Sequence, residues 1–280
     1  MSKKRTQKLE VAAKRRPQTE LFLDHTEITE GDFESLKAVR FLILWNVKVP
    51  AGFVAKLPHL WSLDLRGGSA TDLTVVKGAN KLQCLIVNQI RGLRDLSVLP
   101  KLRNLRCLML YGLIRVTSLP SLKTLKKLER VVLGQMRGLK SIQGILQAPR
   151  LRELHLSKKI NLNARDIHAI NHHLTLKQFD WNPEDVPDKV WVPIMEKIHL
   201  PKGEPIWLED WFRKKVGYPC KRKLTDMQLI NALKCAAKSE ELVSDLETDV
   251  TTKDINSLIK ALEKNVKARK RDSTKRRKSI

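Results

Sequence analysis

Residues 105–110 read Leu105-Arg106-Cys107-Leu108-Met109-Leu110, an L-x-x-L-x-L phrase. The phrase returns at Leu60-x-x-Leu63-x-Leu65, Leu82-x-x-Leu85-x-Val87, Leu128-x-x-Val131-x-Leu133 and Leu151-x-x-Leu154-x-Leu156. Altered copies stand at Leu21-x-Leu23, Val39-x-x-Leu42-x-Leu44 and Leu176-x-x-Phe179-x-Trp181. The first apolar residue of each L-x-L falls at 21, 42, 63, 85, 108, 131, 154 and 179, a period of about 22.6 residues. A fixed period of this length marks a solenoid and outranks local propensity.

Alternation within L-x-L sends successive side chains to opposite faces of an extended strand. Leu63 and Leu65 therefore point inward, while Ser62, Asp64 and Arg66 point out. One repeat cannot bury its leucines alone, so neighbours stack and share a continuous core. Between the strands, Leu93, Leu96, Leu99, Leu102 and Leu105 recur every third residue, as do Leu113, Val116, Leu119, Leu122 and Leu125. A three-residue beat predicts short 3₁₀-like turns on the convex side.

These eight register-matched copies resemble the leucine-rich repeat family, over residues 17–182. The resemblance implies an α/β fold: a leucine-rich repeat solenoid of about eight repeats, with parallel strands on the concave face, a C-terminal cap and a small helical segment. One feature departs from the family pattern. Three residues after the second leucine of L-x-L the family usually carries asparagine, whereas this chain has Val47, Gly68, Ile90, Leu113, Met136 and Lys159. The backbone groups that an asparagine ladder satisfies need other partners, because buried unpaired amides are costly.

Charge organises the rest of the chain. Of 280 residues, 54 are Lys or Arg and 30 are Asp or Glu, a net charge of +24. Residues 1–16 carry seven basic side chains and one acidic, and residues 267–280 carry eight and one. Such segments are too polar to nucleate a core and read as a disordered arm and a basic tail. The excess implies attraction to anionic partners, nucleic acid among them. No run of 18 apolar residues predicts a membrane span, and the basic N-terminus lacks the apolar stretch of a secretory signal. The four cysteines (84, 107, 220, 235) have no framework spacing, so reduced thiols are expected. The expected location is cytoplasmic, or nuclear in a eukaryote.

Past Trp181 the period stops. Prolines at 183, 187, 193, 201, 205 and 219 punctuate a stretch holding Trp191, Trp207 and Trp211. Residues 183–222 are read as the cap that closes the open end of the core, with these tryptophans as its packing. Residues 223–266 carry helical patterns. Thr225–Ala237 presents Leu229, Ile230 and Leu233, and a second helix from Thr252 presents Ile255, Leu258, Ile259, Leu262 and Val266.

The outward columns of the strands are the candidate site. Ile43, Asp64, Ile86, Met109, Val132 and His155 lie between the paired leucines. Trp45, Arg66, Asn88 and Tyr111 lie two residues later, and Arg130 belongs to the column before. Bare outward positions should be polar, and a contiguous apolar patch marks an interface. Either a protein partner binds it, or the chain's own C-terminal helices or a dimer mate cover it. Arg91, Arg94, Arg115, Arg137 and Lys140 line the turns about one repeat apart and are candidate anion-binding residues.

Catalytic signatures are missing: there is no G-x-S-x-G, phosphate loop or dinucleotide fingerprint. Some bacterial leucine-rich repeat effectors carry a ubiquitin-ligase cysteine followed two residues later by Asp. Here Cys220 precedes Lys221-Arg222 and Cys235 precedes Ala236-Ala237. His168 and His172 have the i, i+4 spacing of zinc ligands, but Ala169 stands where a metalloprotease helix carries its glutamate. The expectation is a non-catalytic protein-interaction scaffold without metal, cofactor or small-molecule substrate. The alternative is a nucleic-acid or ribonucleoprotein binder using its basic ends and turns.

Overall fold

A computed structural model describes residues 19–203 and 207–218, together with Lys260. The chain divides into two compact units, Met1–Val216 and Gly217–Ile280. The helices expected within 223–266 lie outside the described residues, except for Lys260, which is helical. So do both basic ends.

The first unit holds one eight-stranded sheet, and its strands follow one another in chain order. They are β1 (Glu20–Asp24), β2 (Phe41–Trp45), β3 (Ser62–Arg66), β4 (Cys84–Asn88), β5 (Cys107–Tyr111), β6 (Arg130–Gly134), β7 (Glu153–Ser157) and β8 (Gln178–Asn182). All seven pairings are parallel and match anchor to anchor, from Leu21 on Leu42 through Leu85 on Leu108 to Leu154 on Phe179. A one-residue slip would turn every leucine out of the core, so burial fixes this register. The leucine column is dry: Leu63, Leu85, Leu108 and Leu154 are all 0% exposed. Burying one such side chain contributes roughly 2–3 kcal/mol.

Each strand exits through the same backbone device. The residues at 25, 46, 67, 89, 112, 135 and 158 all have positive φ, between 45° and 68°. Their amides extend the ladder by one bond, as in Gln89 N to Tyr111 O at 2.8 Å and Gln135 N to Ser157 O at 3.0 Å. Gly67 and Gly112 adopt this conformation freely. For Gln89, Gln135 and Lys158 it costs about 1 kcal/mol each, so the stacked neighbours impose it. Gly112 is required for space as well, since a Cβ there would stand 2.7 Å from Gln89 Cγ.

This exit turn, together with the bonds that follow it, takes over from the missing asparagine ladder. Ile90, Leu113 and Met136 at the asparagine positions are buried in the core instead. Neighbouring turns pair backbone to backbone, as in Ala70 N to Arg91 O and Arg91 N to Gly68 O, both 3.0 Å. Near the last repeats asparagine does serve, with Asn161 Nδ2 donating to Arg137 O and Leu139 O at 3.1 and 3.2 Å.

The convex side follows the three-residue beat. Leu99 N, Leu102 N and Leu105 N donate in turn to the carbonyls of Leu96, Leu99 and Leu102 at 2.9–3.0 Å. Short helices fill other turns: α1 (Phe33–Leu36), α2 (Phe53–Lys56) and α3 (Gln143–Leu146). The longest repeat, 25 residues, holds the eight-residue helix α4 (Ala164–Asn171). Asn163 caps it by accepting from Asp166 N at 3.0 Å. Buried Asp166 also accepts from Ser141 Oγ at 2.7 Å, tying α4 to the preceding repeat. Beyond β8 comes α5 (Asp188–Met195), whose Trp191, Ile194 and Met195 pack against the end of the core. A last helix, α6 (Leu208–Lys215), completes the unit.

Candidate functional site

The outward side chains of the eight strands form three columns, and α6 lies over part of them. Its first turn adjoins the strand exits, where Leu208 lines a cavity with Asn88 and Tyr111. Its last turn reaches the strand entries, where Lys215 pairs with Glu129 at 2.6 Å. The helix therefore runs opposite to the strands.

Named contacts hold it on both flanks. On one side the Phe212 ring meets Phe41 at 6.0 Å between centroids. Arg213 sits 4.0 Å over the Phe41 ring and bridges Glu20 Oε2 at 3.0 Å and Glu209 Oε1 at 2.7 Å. Burial disfavours the Arg213 charge, but the two carboxylates outweigh it and raise its pKa. On the other side Trp211 Nε1 donates to Glu153 Oε1 at 3.0 Å. Arg130, buried beneath, gives Nη1 to Glu153 Oε2 at 2.6 Å. Burial alone would raise the Glu153 carboxyl; His155, Arg130 and the Trp211 indole instead hold it below its ordinary value. Upstream of the helix, Gly203 lies against His155, and a Cβ there would stand 2.5 Å from the ring.

This cover divides the expected site residues. Asp64, Ile86, Arg130 and His155 point to the concave side but are buried. Asp64 accepts from Arg66 Nη2 at 2.6 Å, and that bond is the main cause of a raised Arg66 pKa. Ile43, Arg66, Asn88, Met109, Tyr111 and Val132 stay half-buried, and Trp45 is exposed. One cavity of about 560 Å³ brings together Asn88, Met109, Tyr111, Val132 and His155, with Trp207 and Leu208 as a further wall. Ile43, Trp45, Asp64 and Arg66 do not line it. Asn88 Oδ1 and His155 Nε2 are buried there without a hydrogen bond. His155 Nε2 stands 3.8 Å from Glu153, beyond bonding length.

The tryptophans expected in the cap therefore separate. Trp191 packs on the core end, whereas Trp211 belongs to α6 on the concave face and Trp207, 66% exposed, forms the cavity lip. The local pattern of α6 is readable: Leu208 and Phe212 share a face, acids occupy the first turn and bases the last. Its docking place has no local signature.

Cys84 and Cys107 are register partners in β4 and β5 and remain free and buried. Burial pushes the Cys107 thiol well above its usual range, which disfavours the nucleophilic thiolate. His168 and His172 stack at 4.1 Å, but among the described residues no group of three or more His, Cys, Asp or Glu is placed to hold a metal. No described helix is long and apolar enough to cross a membrane.

Arg91, Arg94, Arg115, Arg137 and Lys140 are all exposed at the strand-exit edge. The first three share an open groove of about 1240 Å³.

No protein-family model matches the chain, and no curated protein matches it. Among solved structures, an internalin (InlF) from Listeria monocytogenes is similar at 16% identity, covering 67% of this chain and 74% of that one, with a TM-score of 0.29. The architecture itself rests on the molecule's own strand ladder: repeated leucines aligned in eight consecutive parallel strands make this a leucine-rich repeat solenoid.

Proposed function

We propose that the chain is a non-catalytic recognition scaffold whose protein partner occupies the strand-exit half of the concave face. One observation carries this reading. Where α6 leaves the face open, Met109, Tyr111 and Val132 form a half-buried apolar floor beneath the exposed Trp207. Aromatic anchors beside a desolvated pocket are the usual centre of a protein interface. The basic ends add attraction and orientation, in the cytoplasm or in the nucleus of a eukaryote. The test is affinity capture with Met109→Asp/Tyr111→Ala, run at low and high salt and with nuclease. The partner is expected to survive both treatments with the parent chain and to be lost with the variant, whose circular dichroism stays unchanged. Capture that persists in the variant overturns the reading.

A second reading, binding of nucleic acid or ribonucleoprotein, is supported by the charge of the central repeats. Between Lys77 and Lys177 there are twenty Lys and Arg against four carboxylates: Asp95, Glu129, Glu153 and Asp166. Binding of this kind weakens steeply with salt.

A further inference from the structure

The groove at the strand-exit edge is lined by Arg91, Arg94 and Arg115, with Gln89, Gln135 and Thr117 as neutral donors, and by no carboxylate. Asp95, next in sequence to Arg94, is engaged elsewhere, accepting from Ser97 N at 2.7 Å. None of these arginines forms an ion pair with a described residue. The groove floor is fixed, because Gln89, Gly112 and Gln135 are held in the left-handed conformation by stacking of the repeats. Three guanidinium groups held together without a counter-charge repel one another, and an anion relieves that repulsion.

We infer that this groove is a docking site for the phosphate backbone of a nucleic-acid duplex. The inference rests on the second reading and names its surface. Two features select the ligand. The row of cations does not stop at the groove, since Arg137 and Lys140 continue it in the next repeat; a ligand longer than one phosphate is implied. Single-strand binders add aromatic platforms for the bases. Here the groove holds no aromatic ring, and Tyr111 on the concave face is the one Phe, Tyr or Trp between Lys77 and Lys177. Arginine matches phosphate oxygens bidentately, which orients the backbone without reading bases.

The test uses the full chain and fluorescence anisotropy with a 20-base-pair DNA duplex, an RNA duplex of equal length, the matching single strand, and poly-glutamate. Arg91→Glu/Arg115→Glu is compared with Lys101→Glu/Lys123→Glu, which makes the same charge change on the convex turns. The groove variant is expected to lose at least tenfold in duplex affinity. Neutral Arg91→Gln/Arg115→Gln should lower the slope of log K against log salt by about 2, near 0.9 per phosphate contact. The convex variant should change affinity less than threefold. Which duplex binds more tightly separates DNA from RNA as the source of the backbone. Equal losses in the two charge-reversed variants overturn the groove assignment while leaving the second reading intact. Tighter binding of the single strand, or equal binding of poly-glutamate, overturns the choice of ligand. No binding of any polyanion at low salt sinks both.

Discussion

The first three repeats and the next four share one fold and carry opposite charge. Residues 19–76 hold eight carboxylates against five Lys and Arg, whereas residues 77–177 hold four against twenty. Strand register, exit turns and dry core run through both without interruption, so the fold does not require either balance. In the acidic region the charges are used internally: Lys56 meets Glu30 at 2.7 Å, Arg66 meets Asp64, and Glu20 receives Arg213. In the basic region Arg130 pairs with Glu153 and Lys158 with Glu184 and Asp185, and most other cations face water. Charge left unpaired across several repeats lowers stability through self-repulsion. That repulsion is what the polyanion proposed for the strand-exit groove would relieve.

The comparison can be broken first at the core. Leu108→Ala in the central repeats should destabilise by about 3–4 kcal/mol, because both neighbouring repeats hold the cavity open. Leu21→Ala in the half-buried first strand should cost about 1 kcal/mol by the same reasoning. Equal losses in urea unfolding would mean that the repeats do not support one another.

Next in size is the link between the acidic start and α6. Arg213→Ala leaves Glu20 and Glu209 facing each other beneath the helix and should cost about 2–3 kcal/mol. Arg213→Lys should recover part of this, since a lysine lacks the fork that spans both carboxylates. A neutral result by chemical denaturation would show that α6 is held by Phe212 and Trp211 alone.

Self-repulsion should be smaller, on the order of 1 kcal/mol between low salt and 0.3 M salt. Added salt should therefore raise the melting temperature. The effect should shrink in Arg91→Gln/Arg115→Gln and persist in a variant of the acidic repeats such as Lys48→Gln. Salt-independent melting would remove the repulsion argument.

The smallest effects are protonic. Glu153 has a lowered folded pKa, so its stabilising effect is fully present above its unfolded value of about 4.5 and is lost as pH falls through the folded value. Glu153→Gln should flatten the acid limb of stability. Burial lowers the pKa of His173 below 6.5, and its Nδ1 accepts from Leu176 N at 3.1 Å. Its neutral form belongs to the folded state, so stability should decline as pH drops below about 6.5. His173→Asn should remove that component. An unchanged pH profile in either variant would show that the group titrates alike folded and unfolded.

Much of the fold was legible in the residues. The anchors pair as their spacing required, and the convex leucines keep a three-residue turn as their beat implied. The exit turn was not legible, because Gln89, Gln135 and Lys158 have no intrinsic preference for positive φ and adopt it only under stacking. The candidate site was legible in composition but not in access. Met109, Tyr111 and Val132 lie where alternation put them, while Arg130 went under α6 and His155 against Gly203, upstream of that helix. Buried and open outward residues read alike in a column of sequence.

The sequence alone determined the period, the inward leucine faces and the division of charge, since all three follow from side-chain identity at fixed spacing along one strand and its neighbours. Tertiary structure alone decided which part of the concave wall α6 covers. That choice depends on Arg213 meeting Glu20, 193 residues away, and on Trp211 meeting Glu153. No local pattern encodes such a meeting, because it becomes favourable only after the repeats have stacked and set those carboxylates in place.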